Sequence, residues 1–425
     1  MWNACVEGAP HELRRRGSLC RGGSHGARMS EMRGEREIAH AELIRGLKQF
    51  ATLRALYASD FYRRHAERVR ALLETVHWYV RDNVQPRVRA FVRAVQWNIE
   101  KGKNFEGLRH LLTTHPLLRE ADLLFLNEVD HGMNRSGNRA ITEDLSRSLG
   151  MHGIFAPAYV ELTKGVGAER ELPGENTMAL QGNAILSRYP VRAARILSLP
   201  QCFEYFEFSE KRFGRRIALL ADVELPGGKL VRAVCTHLET RTTPRGRARQ
   251  MAAILEALEG TDIPILLAGD WNTSTFARGT RWRALRELVR ILLRSAERMQ
   301  RDLCHPDRGH EPLFDVLRRH GYRYREWNDE APTHILPVEV AEDAHYVPGF
   351  SHAWVIRKYQ PYGCRIGLRL DWFAARGLHP LGEGEVQDGE SGVSSVRPQT
   401  VVGLTYRGHP VSDHAPIVVD VALPS

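Results

Sequence analysis

Ile263-Pro264-Ile265-Leu266-Leu267-Ala268-Gly269-Asp270-Trp271-Asn272 is the stretch on which the reading of this chain turns. The run Ile263–Ala268 has the length and composition of a buried strand, and Gly269 punctuates its end. A carboxylate and an amide, Asp270 and Asn272, follow at once. The same pattern recurs outward in both directions. The strand Phe91–Trp97 runs into Asn98-Ile99-Glu100-Lys101-Gly102, Leu123–Leu126 into Asn127-Glu128, and Leu230–Cys235 into Thr236-His237-Leu238. Gln181-Gly182-Asn183 opens the strand Ala184–Ser187. Asp371 lies on Gly367–Phe373, and Ser412-Asp413-His414 precedes Ile417–Val421. One further strand, Ile217–Val223, carries no such group. Strand ends deliver side chains to one rim of a sheet, where loops complete a site.

These residue types suit phosphate and metal chemistry. Mg²⁺ prefers oxygen ligands and keeps several waters, so one or two carboxylates plus a substrate phosphate suffice. Glu128 is the best single carboxylate, with Asn98 and Glu100 as neighbours. His237 and His414 can stabilise phosphoryl oxygens or handle protons. Asp371 can orient the His414 imidazole. Asp270 can position or deprotonate a water, and Asn272 can donate to oxygens on which charge develops. Taken singly these signals are weak, since Asp-x-Asn is often an Asx turn. The ordered set carries the weight.

That set resembles the endonuclease/exonuclease/phosphatase (DNase I-like) superfamily over about residues 91–423. The matching motifs are WNIEKG (97–102), LNEVD (126–130), GNAILSRYP (182–190), THLET (236–240), GDWN (269–272), LDW (370–372) and SDHAP (412–416), in order. The resemblance implies a four-layered α/β sandwich: two packed, mainly antiparallel sheets flanked by helices, with the site at one end. It implies Asn98 and Glu128 as metal ligands, with Glu100 and Asp413 contributing. Asp270 and Asn272 fall on the water- and phosphate-positioning pair, Asp371 and His414 on an Asp–His dyad, and Asn183 on a substrate-contacting position. The implied cofactor is Mg²⁺, with Mn²⁺ as a substitute. The His237 motif is similar to that of the nuclease, sphingomyelinase and inositol-phosphatase branches and unlike that of the apurinic-site endonucleases.

Charge narrows the partner. Residues 1–94 hold 18 Lys and Arg against 10 Asp and Glu, whereas the remaining 331 hold 42 against 41. A dedicated nucleic-acid binder shows a basic surplus through its working domain. A lipid headgroup or small organophosphate is therefore favoured as substrate over nucleic acid. A nuclease, and a catalytically idle binding module of the same fold, are the alternatives. Residues 1–35 read as disordered. Residues 36–90 form a basic helical extension, with helical spacing from Leu43 through Val80. It is expected either to pack on the main domain or to meet an anionic membrane surface. Residues 91–423 are the catalytic domain, with a helical insertion at about 275–365. There Trp282, Leu285, Leu288, Val289 and Leu292 mark an amphipathic helix. Other expected helices are Pro244–Leu258 and Leu313–His320. Six cysteines without metal-type spacing, and no apolar segment behind Arg14–Arg16, point to a reduced, cytoplasmic protein at most peripheral to a membrane. Oligomeric state is open. The nucleophile elbow of serine hydrolases and the P-loop are both missing.

Overall fold

The computed structural model describes residues 40–87, 90–278, 280–337, 356–388 and 392–423. The segment read as disordered, 1–35, lies outside them. Two sheets dominate. The first contains β1 (His77–Tyr79), β2 (Phe91–Lys101), β3 (Leu123–His131), β4 (His152–Glu161), β5 (Leu180–Ser187), β14 (Gln399–Thr400) and β17 (Ile417–Ala422), in the order β1-β4-β5-β3-β2-β17-β14. A short β7 (Arg212–Gly214) also pairs with β4. The second sheet contains β6 (Val191–Ser198), β8 (Ile217–Leu225), β9 (Lys229–Thr236), β10 (Ile265–Asp270) and β13 (Asp371–Arg376), ordered β13-β10-β9-β8-β6. Only β2–β3 and β9–β10 pair in parallel within these sheets; the other ladders are antiparallel.

Period-two alternation sorts the strands' side chains into layers. On β2, Val95, Trp97 and Ile99 face the helices 40–48, Asp60–Glu74, Phe105–Thr114 and Ile141–Leu149, while Val92 and Ala94 face the other sheet. On β9 and β10, Val234, Ile265 and Leu267 meet the helices Pro244–Glu256 and Leu313–Arg319, while Ala233, Cys235, Leu266 and Ala268 face inward. The result is helices, sheet, sheet, helices: the four-layered sandwich that the sequence implies. Pro244–Glu256 starts where chemistry dictates. Thr243 accepts from the Gly246 N–H at 3.1 Å, and Pro244 sits in the first turn.

Three expectations need correction. Within the described part of the 36–90 extension the helical reading holds only to Glu74; His77–Tyr79 is instead an edge strand paired with β4. The β-branched and aromatic run Thr75–Val80 favours extended backbone, and Thr75 already leaves the helix at ψ 122°. The extension packs on the main domain, one of the two expectations, with Leu43, Leu47, Leu56 and Val69 buried in the core. The stretch Gly367–Phe373 splits into β12 (Arg365–Leu368), which pairs with β11 (His334–Pro337), and β13 in the second sheet. Buried Arg369 marks the crossing. Part of the 275–365 interval belongs to the core, with Leu313, Phe314 and Trp327 buried under the second sheet or between the sheets. On the helix Arg281–Leu293, by contrast, Trp282, Leu285 and Val289 are exposed.

Candidate active site

The inward face of each strand is apolar for most of its length and turns polar at one common end. Val92 and Ala94 give way to Gln96 and Asn98. Leu123 and Phe125 give way to Asn127, and Ile185 to Asn183. Cys235 is followed on the same face by His237, Ala268 by Asp270, and Phe373 is preceded by Asp371. All of these polar groups are buried. The site is therefore the polar end of the layer between the sheets, made by simple alternation.

Amides stitch this end together. Gln96 Nε2 donates to Asp371 Oδ1 at 2.9 Å and to Asn127 Oδ1 at 3.3 Å. Asn127 Oδ1 also accepts from the Asp270 N–H at 2.8 Å, and its Nδ2 donates to Asn183 Oδ1 at 2.9 Å. Asn98 Nδ2 donates to Asp270 Oδ2 at 3.0 Å, and the Asn272 N–H to Asp270 Oδ1 at 2.9 Å. His414 Nδ1 lies 2.7 Å from Asp371 Oδ2, with its Nε2 3.9 Å from Asp270 Oδ2. His237 Nε2 lies 3.4 Å from the same Asp270 oxygen. Thr333 Oγ1 accepts from the backbone N–H groups of Leu370 and Asp371 and fixes the start of β13. Gly269 is required here: at φ 151° it brings its Cα so close that a Cβ would lie 1.8 Å from the Thr236 carbonyl oxygen.

Burial and neighbouring charges separate the titrating groups. Burial opposes charge on His414, but Asp371, Asp413 and Asp270 override it and raise its pKa well above the ordinary imidazole value. Burial, together with Arg216, His414 and Arg212, pushes His237 well below that value. Burial and the adjacent Asp371 charge push Asp270 up to about 7, against the pull of His414 and the bonds from Asn98 and Asn272. One imidazole is thus held charged, the other neutral, beside a carboxyl poised near neutrality.

Glu128 occupies the adjoining cleft, lined also by Tyr159, Gln181, Asn183, Arg216 and His237. Its backbone is left-handed, φ 52°, at a register shift in β3; Glu100 (φ 46°) and Lys101 (φ 66°) sit at a matching shift in β2. Such bulges re-aim side chains, and positive φ in non-glycine residues concentrates at functional sites. Burial raises the Glu128 pKa, but the cations Lys101, Arg212 and Arg216, with His414, carry it below the usual value. Those cations have carboxylate partners elsewhere: Lys101 with Glu210 at 3.8 Å, Arg212 with Glu161 at 2.9 Å, Arg216 with Glu239 at 3.6 Å. Glu128 is thus ionised and half-buried, with no hydrogen-bond or ion-pair partner among the described residues. Asn98 Oδ1 takes one bond, from the Glu100 N–H at 3.1 Å, and keeps a second lone pair. This all-oxygen pair fits a hard divalent cation.

Of the ten residues singled out in sequence, Asn98, His237, Asp270, Asp371 and His414 converge within hydrogen-bond or ion-pair distances. Asn183 and Glu128 share the cleft with His237. Asn272 is buried against Asp270, but its Nδ2 donates to the Leu238 carbonyl at 2.9 Å. Glu100 and Asp413 sit on the rim: Glu100 pairs with Lys103, which also faces Asp413. Among the described residues, close triads of metal-ligating His, Cys, Asp and Glu atoms are Asp270–Asp371–His414 and His334–Asp413–His414, neither of which contains Glu128. Sequence reasoning gave Asn127 no role of its own and missed Gln96, Thr333, Arg216 and His334, whose ring lies 4.6 Å from that of His414. Continuing the alternation from Val92 would have found Gln96; Arg216 and Thr333 carry no local signal.

The profile of the Endonuclease/Exonuclease/phosphatase family matches residues 95–414. No functionally curated protein matches the chain. Among solved structures it is similar to an endonuclease/exonuclease/phosphatase from Beutenbergia cavernae DSM 12333, with 17% identity and TM-score 0.45, covering 79% of this chain and 72% of that one. It is similar also to the human Nocturnin catalytic domain with bound sulfate, with 15% identity and TM-score 0.40, covering 82% and 97%. A family protein from Leptotrichia buccalis C-1013-b shares 12% identity, TM-score 0.43, covering 78% and 100%. With its motifs in order along most of its length and the family profile spanning them, the chain belongs to the endonuclease/exonuclease/phosphatase family.

Proposed function

We propose that this protein is a divalent-metal-dependent phosphoesterase that hydrolyses a lipid headgroup or small organophosphate ester by in-line attack of water. The observation that carries the reading is the meeting of Asp270, His237, His414 and Asp371 beside the ionised, open Glu128. Glu128 and Asn98 would hold Mg²⁺ or Mn²⁺, with Glu100 and Asp413 reaching in from the rim. When bound, the ion neutralises charge on the phosphoryl oxygens.

The protein's own groups divide the remaining work. Asp270, oriented by Asn98 and the Asn272 N–H, holds the attacking water and accepts its proton. A base with pKa near 7 is ionised often enough at neutral pH and still basic enough to act. His414, kept charged by Asp371, donates from Nε2 to the phosphoryl group as negative charge develops, without reorganisation. Neutral His237 donates one ring N–H toward the same centre, and Asn183, braced by Asn127, contacts the substrate. The inward apolar layer behind them excludes water and strengthens each interaction.

The test is a panel run with purified protein: a nitrophenyl diester, sphingomyelin, phosphoinositides, single-stranded RNA and plasmid DNA, each with Mg²⁺ and with EDTA. Lipid or small-ester turnover that EDTA abolishes and Mg²⁺ restores is expected. Undiminished turnover in EDTA removes the metal, and cleavage of plasmid alone makes the protein a nuclease.

A further inference from the structure

The helix Arg281–Leu293 exposes an apolar stripe. Its inner side is anchored by polar groups: buried Glu287 accepts from the Ala277 N–H at 3.4 Å and from Arg290 Nη1 at 3.0 Å, while Arg290 Nη2 donates to Thr275 Oγ1 at 2.7 Å. The outer side is apolar. Trp282 is 81% exposed, Leu285 51%, Val289 45% and Leu293 81%. At 3.6 residues per turn these four fall within an arc of roughly 80°, on the side away from Glu287. A contiguous exposed apolar stripe marks a surface that meets something.

The charge around the stripe says what. Residues 278–301 contain eight arginines and two glutamates, while the rest of 95–425 holds 34 Lys and Arg against 39 Asp and Glu. Arg283 and Arg286 are exposed beside the stripe. Trp and Leu on one side with arginines flanking them is the composition of a helix that lies in a lipid interface over anionic headgroups. Aliphatic Leu293 and Val289 give nothing to a nucleic acid, whose backbone rewards cations and whose bases reward aromatic rings. The N-terminal helices cannot serve in this way, because Leu43, Leu47, Leu56 and Val69 are already buried in the core.

We propose that the helix Arg281–Leu293 docks the protein on an anionic lipid surface, with Trp282, Leu285, Val289 and Leu293 inserted and Arg283 and Arg286 on the headgroups. The helix is tied through Thr275 and Ala277 to the segment leaving Asn272, so docking places the polar end of the sandwich next to the bilayer. The proposal does not depend on turnover and is measured without it.

The experiment is co-sedimentation of the full chain with vesicles of phosphatidylcholine alone and of phosphatidylcholine mixed with phosphatidylglycerol. Wild type is expected to pellet with the anionic vesicles and much less with the neutral ones. Trp282→Ser with Leu293→Ser should lower partitioning at least about tenfold, the loss expected for two interfacial apolar anchors. Arg283→Glu with Arg286→Glu should abolish the preference for phosphatidylglycerol. All four side chains are exposed, so unchanged thermal unfolding checks that the variants fold. Wild type that stays in solution overturns the proposal, as does equal pelleting of the Ser variant. Self-association without vesicles, or DNA binding, that the Ser variant removes would also overturn it.

Discussion

At the scale of single residues, the site works by giving like groups unlike surroundings. His237 and His414 lie at 3.4 and 3.9 Å from one Asp270 oxygen, yet only His414 has the buried Asp371 behind it. Asp270→Asn keeps the shape and the bond from the Asn272 N–H but removes the proton acceptor. It should lose at least about 10²-fold in kcat while unfolding at nearly the wild-type temperature, the scale of one lost proton-transfer group. His414→Ala should lose a similar factor. Near-normal rates in single-turnover assays would show that the roles are wrongly assigned. The groups proposed to react were legible in sequence because charged residues after apolar strands stand out. Their supports were not. Gln96 and Asn127 look like ordinary strand amides until the two sheets are stacked, and Thr333 acts from a loop 38 positions before Asp371.

Elements show the same division. The apolar runs read as strands all fall on strands, but β2, β3 and β5 extend four or five residues further at the polar end, and β4 and β6 were not found. Pro157 and Gly153 make β4 a poor strand on paper; Pro157 is tolerated because the β4–β5 register shifts there. The edge strand β6 has only partly buried and exposed residues, so no apolar run announces it. The junction of β1 and the N-terminal helices with the first sheet holds His40, His77 and His131, each lowered chiefly by burial, His131 to about 4. Unfolded imidazoles take up protons near pH 6.5, whereas the folded ones resist. Stability present above that pH is therefore lost as pH falls toward 4, on the order of 2–3 kcal/mol from His131. Urea midpoints measured from neutral pH downward should drop accordingly, and His131→Gln should flatten the acid limb. An unchanged slope in that variant would remove His131 as the cause.

For the molecule as a whole, the modest acidic excess outside the N-terminal segment and the 278–301 helices, 34 Lys and Arg against 39 Asp and Glu, sets the response to ions. KM for whichever substrate the panel identifies should change less than about twofold between 50 and 200 mM salt, because no extended polyanion is tracked; an enzyme holding six to ten backbone phosphates loses about 10³–10⁵ in affinity over that range. A steep salt slope would argue for a polynucleotide substrate. Among the described residues no helix is long and apolar enough to cross a membrane. The sheet order has one more consequence. β2 lies inside the first sheet between β3 and β17, and buried Arg93 and Asp420 join it to β17 across 327 positions of chain. During synthesis, at roughly 5–20 residues per second, that flank of β2 waits tens of seconds for its mate to leave the ribosome. The nascent protein must spend this interval shielded by a chaperone or by transient partners, and a stop codon ahead of Ile417 would leave a sticky, half-zipped sheet in place of a shortened enzyme.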